Sequence, residues 1–277
     1  MQPSGIISLI TDFGLIDPYV GQMKGAILRL NLGAQLVDLS HAIPRQDIIG
    51  AAIVLHSSYA FFPSGSVHLV VVDPGVGSQR RILVAESDEQ IVVAPDNGIL
   101  SLLLRDQIIS KVYSVEQEEL FANTVSPTFH GRDIMGPVAA VLAGGLGVDA
   151  VGSEVSPDSC VCLNLPVASV SEKRITGQVL QVDHFGNIRT TIRSTDLEHL
   201  KYLNPLAGAG SQRRQVQVNE QHVIQTISAT YAQAEPGALV ALVDSAGYLE
   251  IAVNMGSAAE LTQCRIGDPV QIDCLPE

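Results

Sequence analysis

The run Val67-His68-Leu69-Val70-Val71-Val72 passes straight into Asp73-Pro74-Gly75-Val76-Gly77-Ser78-Gln79-Arg80-Arg81. An almost continuous apolar stretch rich in β-branched side chains, cut off by Pro and Gly, reads as a strand buried on both faces. Two glycines after it permit unusual backbone angles and close approach of a ligand. No Gly-Lys-Ser or Gly-Lys-Thr follows, so the turn is not a phosphate-gripping loop. The strand end carries a carboxylate, Asp73, with the cations Arg80 and Arg81 a few residues on. The plain alternative is a tight turn with a surface Asp–Arg contact, which is worth little.

Outward from this strand, strand and helix signals alternate. Residues 6–10 and 35–39 read as strands, as do 82–85 and 91–94. Asp17-Pro18 reads as a helix start, with Asp as N-cap and Pro at the first helical position. Val20, Met23, Ile27 and Leu30 follow at helical spacing. A second helix is expected over 47–59, with Ile48, Ala51, Ala52 and Leu55 facing inward, and a third over 131–146. Alternation of this kind predicts an α/β domain with a mostly parallel sheet and flanking helices. From residue 173 the pattern changes to short alternating runs at 177–182, 188–192, 215–218, 238–243 and 249–253, with a short helical piece at 257–261. These predict a smaller all-β, barrel-like domain. The expected domains are 1–160 and 172–277, joined through a stretch broken by Gly, Ser, Pro and Cys.

Composition agrees with two cores. Of 277 residues, 46% are apolar and 16% charged, so wholesale disorder is excluded. The net charge of −13 repels a phosphate backbone and argues against nucleic acid as a partner. Cys160, Cys162, Cys264 and Cys274 match no common zinc spacing and are too few for a disulfide scaffold. A reducing cytoplasm is the expected location. Residues 1–8 lack the basic region of a signal peptide, and no apolar run is long enough to span a membrane. His41, His56, His68, His199 and His222 show no ligand spacing and read as structural or surface residues. No metal and no Gly-x-Ser-x-Gly elbow is indicated.

Four further segments carry possible chemistry. Thr11-Asp12-Phe13-Gly14 closes the first strand, where ligands bind in open α/β sheets. Asp12 there suits a ribose diol, or merely caps the next helix. Ser126-Pro127-Thr128-Phe129-His130-Gly131-Arg132-Asp133 precedes a helix, whose positive end disfavours imidazolium. His130 there holds water as a neutral partner, or is satisfied by loop backbone. In Asp183-His184-Phe185-Gly186-Asn187, Asn187 suits an adenine edge and Phe185 a ring face; a plain β-turn uses the same residues. The last, 244–257, reads as a hairpin followed by a strand with exposed backbone polar groups at its end.

Taken together and in order, Thr-Asp-Phe-Gly at 11–14, Asp-Pro-Gly-Val-Gly with the arginines at 73–81, Thr-Phe-His-Gly-Arg-Asp at 128–133, Asp-His-Phe-Gly-Asn at 183–187 and Ser-x-Gly-Tyr-Leu-Glu-Ile-Ala at 245–252 resemble the S-adenosyl-L-methionine hydroxide adenosyltransferases. The resemblance spans nearly the whole chain. It implies hydrolysis of S-adenosylmethionine to adenosine and methionine, with no cofactor beyond that substrate. It also implies a homotrimer with each site shared between the N-domain of one subunit and the C-domain of its neighbour. The family's Asp–Arg–His set falls on Asp73, Arg80 and His130, with Arg81 as the neighbouring alternative to Arg80. Asp12 would bind ribose. Phe185, Asn187, Tyr231 and the Val253 and Met255 backbone would lie at adenine, and Asp183 and Ser245 at the methionine ammonium and carboxylate. Glu250 completes the expected substrate set. Related halogenases carry Tyr in place of Asp73, Tyr-Ser in place of His130-Gly131, and an N-domain insertion absent here. They also place Arg where this chain has Ala246. A non-catalytic adenosine-binding module is the remaining alternative.

Overall fold

The computed structural model describes residues 2–202, 213–219 and 221–275. The chain divides into two compact units, Met1–Leu163 and Asn164–Glu277.

The first unit runs β1 (Ile6–Thr11), α1 (Tyr19–Leu30), β2 (Gln35–Ser40), α2 (Ile48–Tyr59), β3 (Val67–Val71), β4 (Ile82–Glu86), β5 (Ile91–Pro95), α3 (Ser101–Arg105), β6 (Lys111–Ser114), α4 (Gly136–Ala143) and β7 (Glu154–Val155). Its sheet has the order β2-β1-β3-β5-β4-β6-β7. Alternation along each strand sends side chains to two cores. Ile7, Leu9, Leu69 and Val71 pack with Met23 and Ile27 of α1 and Val138 of α4. Ile10, Val70 and Val72 pack with Ala51 and Leu55 of α2 and Leu103 of α3. Both faces of the central strand are therefore dry, and every residue of β3 is buried.

The sheet is mixed, which corrects the expectation of a mostly parallel one. β2, β1, β3 and β5 are parallel, whereas the β5–β4, β4–β6 and β6–β7 pairs are antiparallel. Only residues 87–90 separate β4 from β5. A parallel pairing needs a crossover of about a dozen residues or more, so this link closes as a hairpin. The start of α1 also differs. Pro18 occupies the N-cap, and no side chain caps the helix there. Leu30 is 57% exposed rather than inward. The predicted cap of α2 is present, with Asp47 accepting the Gly50 N–H at 2.9 Å.

The second unit runs β8 (Ser169–Val170), β9 (Arg174–Val182), β10 (Ile188–Arg193), α5 (Ser194–Tyr202), β11 (Arg213–Val218), β12 (His222–Ile224), β13 (Ile227–Ser228), β14 (Leu239–Val243), β15 (Tyr248–Val253), α6 (Ala258–Thr262) and β16 (Pro269–Leu275). Its main strand order is β12-β11-β16-β9-β10-β15-β14-β13, with β8 added on β9. The two ends of this sheet approach each other, giving a nearly closed barrel. Ile175, Val179, Ile188, Val216, Ile251 and Ile272 are among the side chains that fill it. All pairings are antiparallel except β13 with β14. Helix α5 and strand β16 lie outside the runs that the sequence marked.

Candidate active site

The parallel register pairs Thr11 with Val71, so the carboxyl ends of β1 and β3 stand side by side. Asp12 leaves the first and Asp73 the second. The loop ending in His130 is laid over them by two glycines. Gly131 packs on Val71 so closely that a Cβ would meet Val71 Cγ1 at 2.8 Å. Gly77 has φ +79°, and a Cβ there would meet the Pro127 carbonyl oxygen at 2.4 Å. Side chains at these positions would push the two loops apart. After His130 the chain makes a π-helical turn, Gly131–Met135, before α4 begins. Such turns recur where a helix adapts to a functional site. Asp133 anchors it, accepting the Ser126 N–H at 2.9 Å and Arg132 at 2.6 Å.

The result is a cleft of about 260 Å³ lined by Asp12, Phe13, Gln46, Asp73, Phe129 and His130, among others. Arg80 is the hub beside it. Its Nε donates to Asp73 Oδ2 at 2.8 Å and Oδ1 at 3.0 Å, and its Nη2 contacts His130 Nδ1 at 3.0 Å. Both partners of the ion pair are well buried, at 4% side-chain exposure for Asp73 and 10% for Arg80. Arg81 turns elsewhere, to Asp96 at 2.6 Å and the Ser159 carbonyl at 2.7 Å.

The Arg80 contact fixes the tautomer of His130. A guanidinium only donates, so Nδ1 accepts and the proton of the neutral ring sits on Nε2. Burial, and then the Arg80 charge, hold the imidazole below its ordinary value of 6.5, against the opposing pull of Asp73 and Asp133. The cluster thus presents a fixed ion pair and a neutral ring with one N–H left to give.

Asp12 is oriented from the opposite side, where Oδ2 accepts the Gln46 N–H at 2.9 Å. Gln46 has φ +66°, which is uncommon for a residue other than glycine. Phe13, Phe129 and Tyr19 form an edge-to-face trio with centroids 5.5–6.0 Å apart. Sequence reasoning missed Gln46 because its contribution is a backbone N–H in a strained conformation. Phe13 and Phe129 stood in quoted motifs, but nothing local marked them as neighbours.

The second unit gathers its own candidates. Asp183 Oδ1 accepts the Phe185 and Asn187 N–H groups, each at 2.9 Å, and Asn187 Nδ2 donates to Oδ2 at 3.3 Å. This is the turn that the plain reading of Asp-His-Phe-Gly-Asn describes, and it leaves the Phe185 ring 74% exposed. Tyr231 donates to Glu250 Oε1 at 2.7 Å. Burial and the Glu250 carboxylate push the Tyr231 hydroxyl up to about 12. Burial likewise raises Glu250, with Asp244 and Asp183 adding to the rise against the Tyr231 hydrogen bond and Arg189. Asp244, which heads the 244–257 segment but was given no role of its own from sequence, organises the Ser245 turn. Its Oδ1 accepts the Ala246 and Tyr248 N–H groups, and its Oδ2 is held by Arg189 at 2.7 Å. Ser245 is exposed, Val253 is buried at the end of β15, and Met255 is 87% exposed. Among the described residues no group of His, Cys, Asp and Glu side chains is arranged to hold a metal ion. No helix among them is long and apolar enough to cross a membrane.

Comparison with known proteins bears on this arrangement. The family model described as SAM hydroxide adenosyltransferase N-terminal domain matches residues 7–152, and the corresponding C-terminal domain model matches residues 177–271. A protein of Salinispora tropica named (R)-S-adenosyl-L-methionine hydrolase is 35% identical over 98% of this chain and 99% of its own length. A fluorinase of Nocardia brasiliensis is 28% identical over 96% of each chain. The crystal structure of an uncharacterized conserved protein from Thermotoga maritima superposes with a TM-score of 0.85 at 34% identity, covering 96% of this chain and 99% of that one. With both domain models matched in order and a relative aligned end to end, the chain belongs to the SAM hydroxide adenosyltransferase family.

Proposed function

We propose that the protein hydrolyses S-adenosyl-L-methionine to adenosine and L-methionine by attack of an activated water at C5′. The observation that carries the reading is Arg80 joining Asp73 to His130 at the edge of a cleft that also contains Asp12. The C5′–S bond breaks with its electron pair going to sulfur, so a sulfonium cation leaves as a neutral thioether and needs no proton. The requirement is an oxygen nucleophile held in line with that bond. His130 Nε2–H donates to this oxygen and cannot take its proton while Nδ1 is engaged by Arg80. Asp73 orients the water and accepts the proton, and Arg80 offsets the negative charge that develops on oxygen. Asp12 binds the ribose diol.

At about 260 Å³ the cleft falls short of the roughly 300–1,000 Å³ usual for small-molecule sites. In a homotrimer of the kind the family resemblance implies, the C-terminal residues of a neighbouring subunit supply further walls. On this reading Phe185, Asn187, Tyr231, Val253 and Met255 enclose adenine. Asp183, Ser245 and Glu250 meet the cationic amino-acid end. The excess of carboxylates around Glu250 suits a substrate bearing a sulfonium and an ammonium. The enzyme works in the cytoplasm without a cofactor, and its preferred substrate is the (R) sulfonium epimer that names its relatives.

The test is incubation of purified protein with each epimer of S-adenosylmethionine in chloride and fluoride buffers, with the mass in solution measured by light scattering. Equimolar adenosine and methionine from a trimer is the expected result. A 5′-halo-5′-deoxyadenosine product would replace hydrolysis by halide transfer, and bound but unturned substrate would make the protein a binding module.

A further inference from the structure

Behind the Asp12 turn lies a buried histidine that the reaction scheme does not use. His41 is 6% exposed and follows β2. Its Nδ1 stands 2.8 Å from Oγ1 of Thr11, a fully buried residue at the end of β1. The same oxygen accepts the Phe13 N–H at 3.3 Å, and with the ring proton drawn to Nε2 by the Asp38 carboxylate, Nδ1 accepts the Thr11 hydroxyl. The His41 carbonyl accepts the Gly14 N–H at 2.7 Å. Two of the three residues in the turn Asp12-Phe13-Gly14 therefore hang from the Thr11–His41 unit.

The outer side of the ring is different. His41 Nε2 lies 3.0 Å from Asp38 Oδ1, while Lys24 holds the other Asp38 oxygen at 2.7 Å. The His41–Asp38 contact lacks the alignment of a hydrogen bond. Among the described residues, His41 Nε2 is the buried side-chain polar atom with no hydrogen-bond partner. Its partner there is the charge of the Asp38 carboxylate, which favours the tautomer with the proton on Nε2. What the ring supplies at this position is the Nδ1 acceptor on its inner side.

We propose that His41, acting through Thr11, is a positioning residue that fixes the Asp12 carboxylate and the Phe13 ring in the cleft. The inference rests on Asp12 being the ribose acceptor. With the turn fixed, the Gln46 N–H occupies Asp12 Oδ2, and Oδ1 carries no hydrogen bond from any described residue. One carboxylate oxygen is thereby left for a ligand, on a backbone held at both following residues.

Four variants test this. Thr11→Val and His41→Leu remove the hydroxyl–imidazole pair, while Thr11→Ser and His41→Asn retain a hydroxyl and an inner acceptor. The first readout is hydrogen exchange at the Gly14 amide without ligand, chosen because its acceptor is a carbonyl that no substitution deletes. The second is the division between KM and kcat with S-adenosylmethionine. In Thr11→Val and His41→Leu, Gly14 exchange rises about tenfold and KM about fivefold, with kcat within about twofold, on the scale of one lost hydrogen bond. Thr11→Ser and His41→Asn return both towards wild type. Wild-type exchange and KM in folded Thr11→Val would overturn the proposal, as would a loss confined to kcat. Thr11→Val is nearly isosteric and carries the test should His41→Leu fail to fold. A wild-type protein that forms no adenosine would sink the reading of the reaction, and Gly14 exchange would still decide the positioning role.

Discussion

The two units each bury a carboxylate, and they compensate it in opposite ways. Asp73 is gripped on both oxygens by Arg80, beside an imidazole held neutral. Glu250 accepts the Tyr231 hydroxyl, with Asp244 and Asp183 adding to the local negative potential and Arg189 offsetting part of it. The first cluster has a cation in place to receive negative charge on an attacking oxygen. The second has negative potential in surplus, which suits a cationic substrate. On the proposed function, the first cluster serves the nucleophile and the second the charge of the leaving group and its tail.

The largest effect should come from breaking the first cluster. Arg80→Ala leaves Asp73 buried without its partner and removes the charge that the proposed mechanism uses to stabilise the transition state. Single-turnover adenosine formation should fall about 10²–10³-fold, with substrate affinity moving much less. Next is the steric seam that holds the cluster together. Gly77→Ala puts a Cβ against the Pro127 carbonyl in a left-handed backbone. It should lower unfolding free energy by about 1–3 kcal/mol in chemical denaturation and reduce kcat/KM as the His130 loop shifts.

Perturbing the second cluster should leave the chemical step alone. Glu250→Gln keeps the shape and a hydrogen-bond acceptor for Tyr231 but deletes a charge. KM should rise about tenfold, with single-turnover kcat within about twofold. A fall in kcat without a change in KM would erase the contrast between the units. The smallest effect is a titration. Protonated His130 has no lone pair for Arg80, so activity should be lost as pH falls through the depressed value of the ring. The acid limb of kcat/KM should therefore have its midpoint below 6.5, with full activity retained above it. A midpoint above 7 would mean that the ring is not held neutral by burial and Arg80.

The same contrast explains what the sequence made legible. β3 and its turn were readable because an apolar run ended by Asp-Pro-Gly is a local signal. The antiparallel half of the first sheet was not, because strand direction depends on pairing, and only the brevity of residues 87–90 hinted at a hairpin. Arg80 and His130 lie 50 residues apart, so only the serial order of motifs linked them, and the choice between Arg80 and Arg81 required coordinates. Gln46 was invisible because it acts through its backbone. In the second unit, the Asp183 turn was legible as turn chemistry. The Tyr231–Glu250 pair joins a three-residue 3-10 turn to β15, and no local pattern ties those two segments together. Helix α5 was missed because Ser-Thr-Asp-Leu-Glu-His-Leu-Lys-Tyr carries only two aliphatic side chains and no continuous apolar stripe.

The most direct test is turnover of S-adenosylmethionine in ¹⁸O-labelled water, with the adenosine analysed by mass spectrometry in wild type and Arg80→Ala. One ¹⁸O at the 5′-hydroxyl, formed in step with methionine and nearly abolished in the variant, is the predicted result. Unlabelled adenosine, or label incorporated at an undiminished rate without Arg80, would contradict water activation by the Asp73–Arg80–His130 cluster.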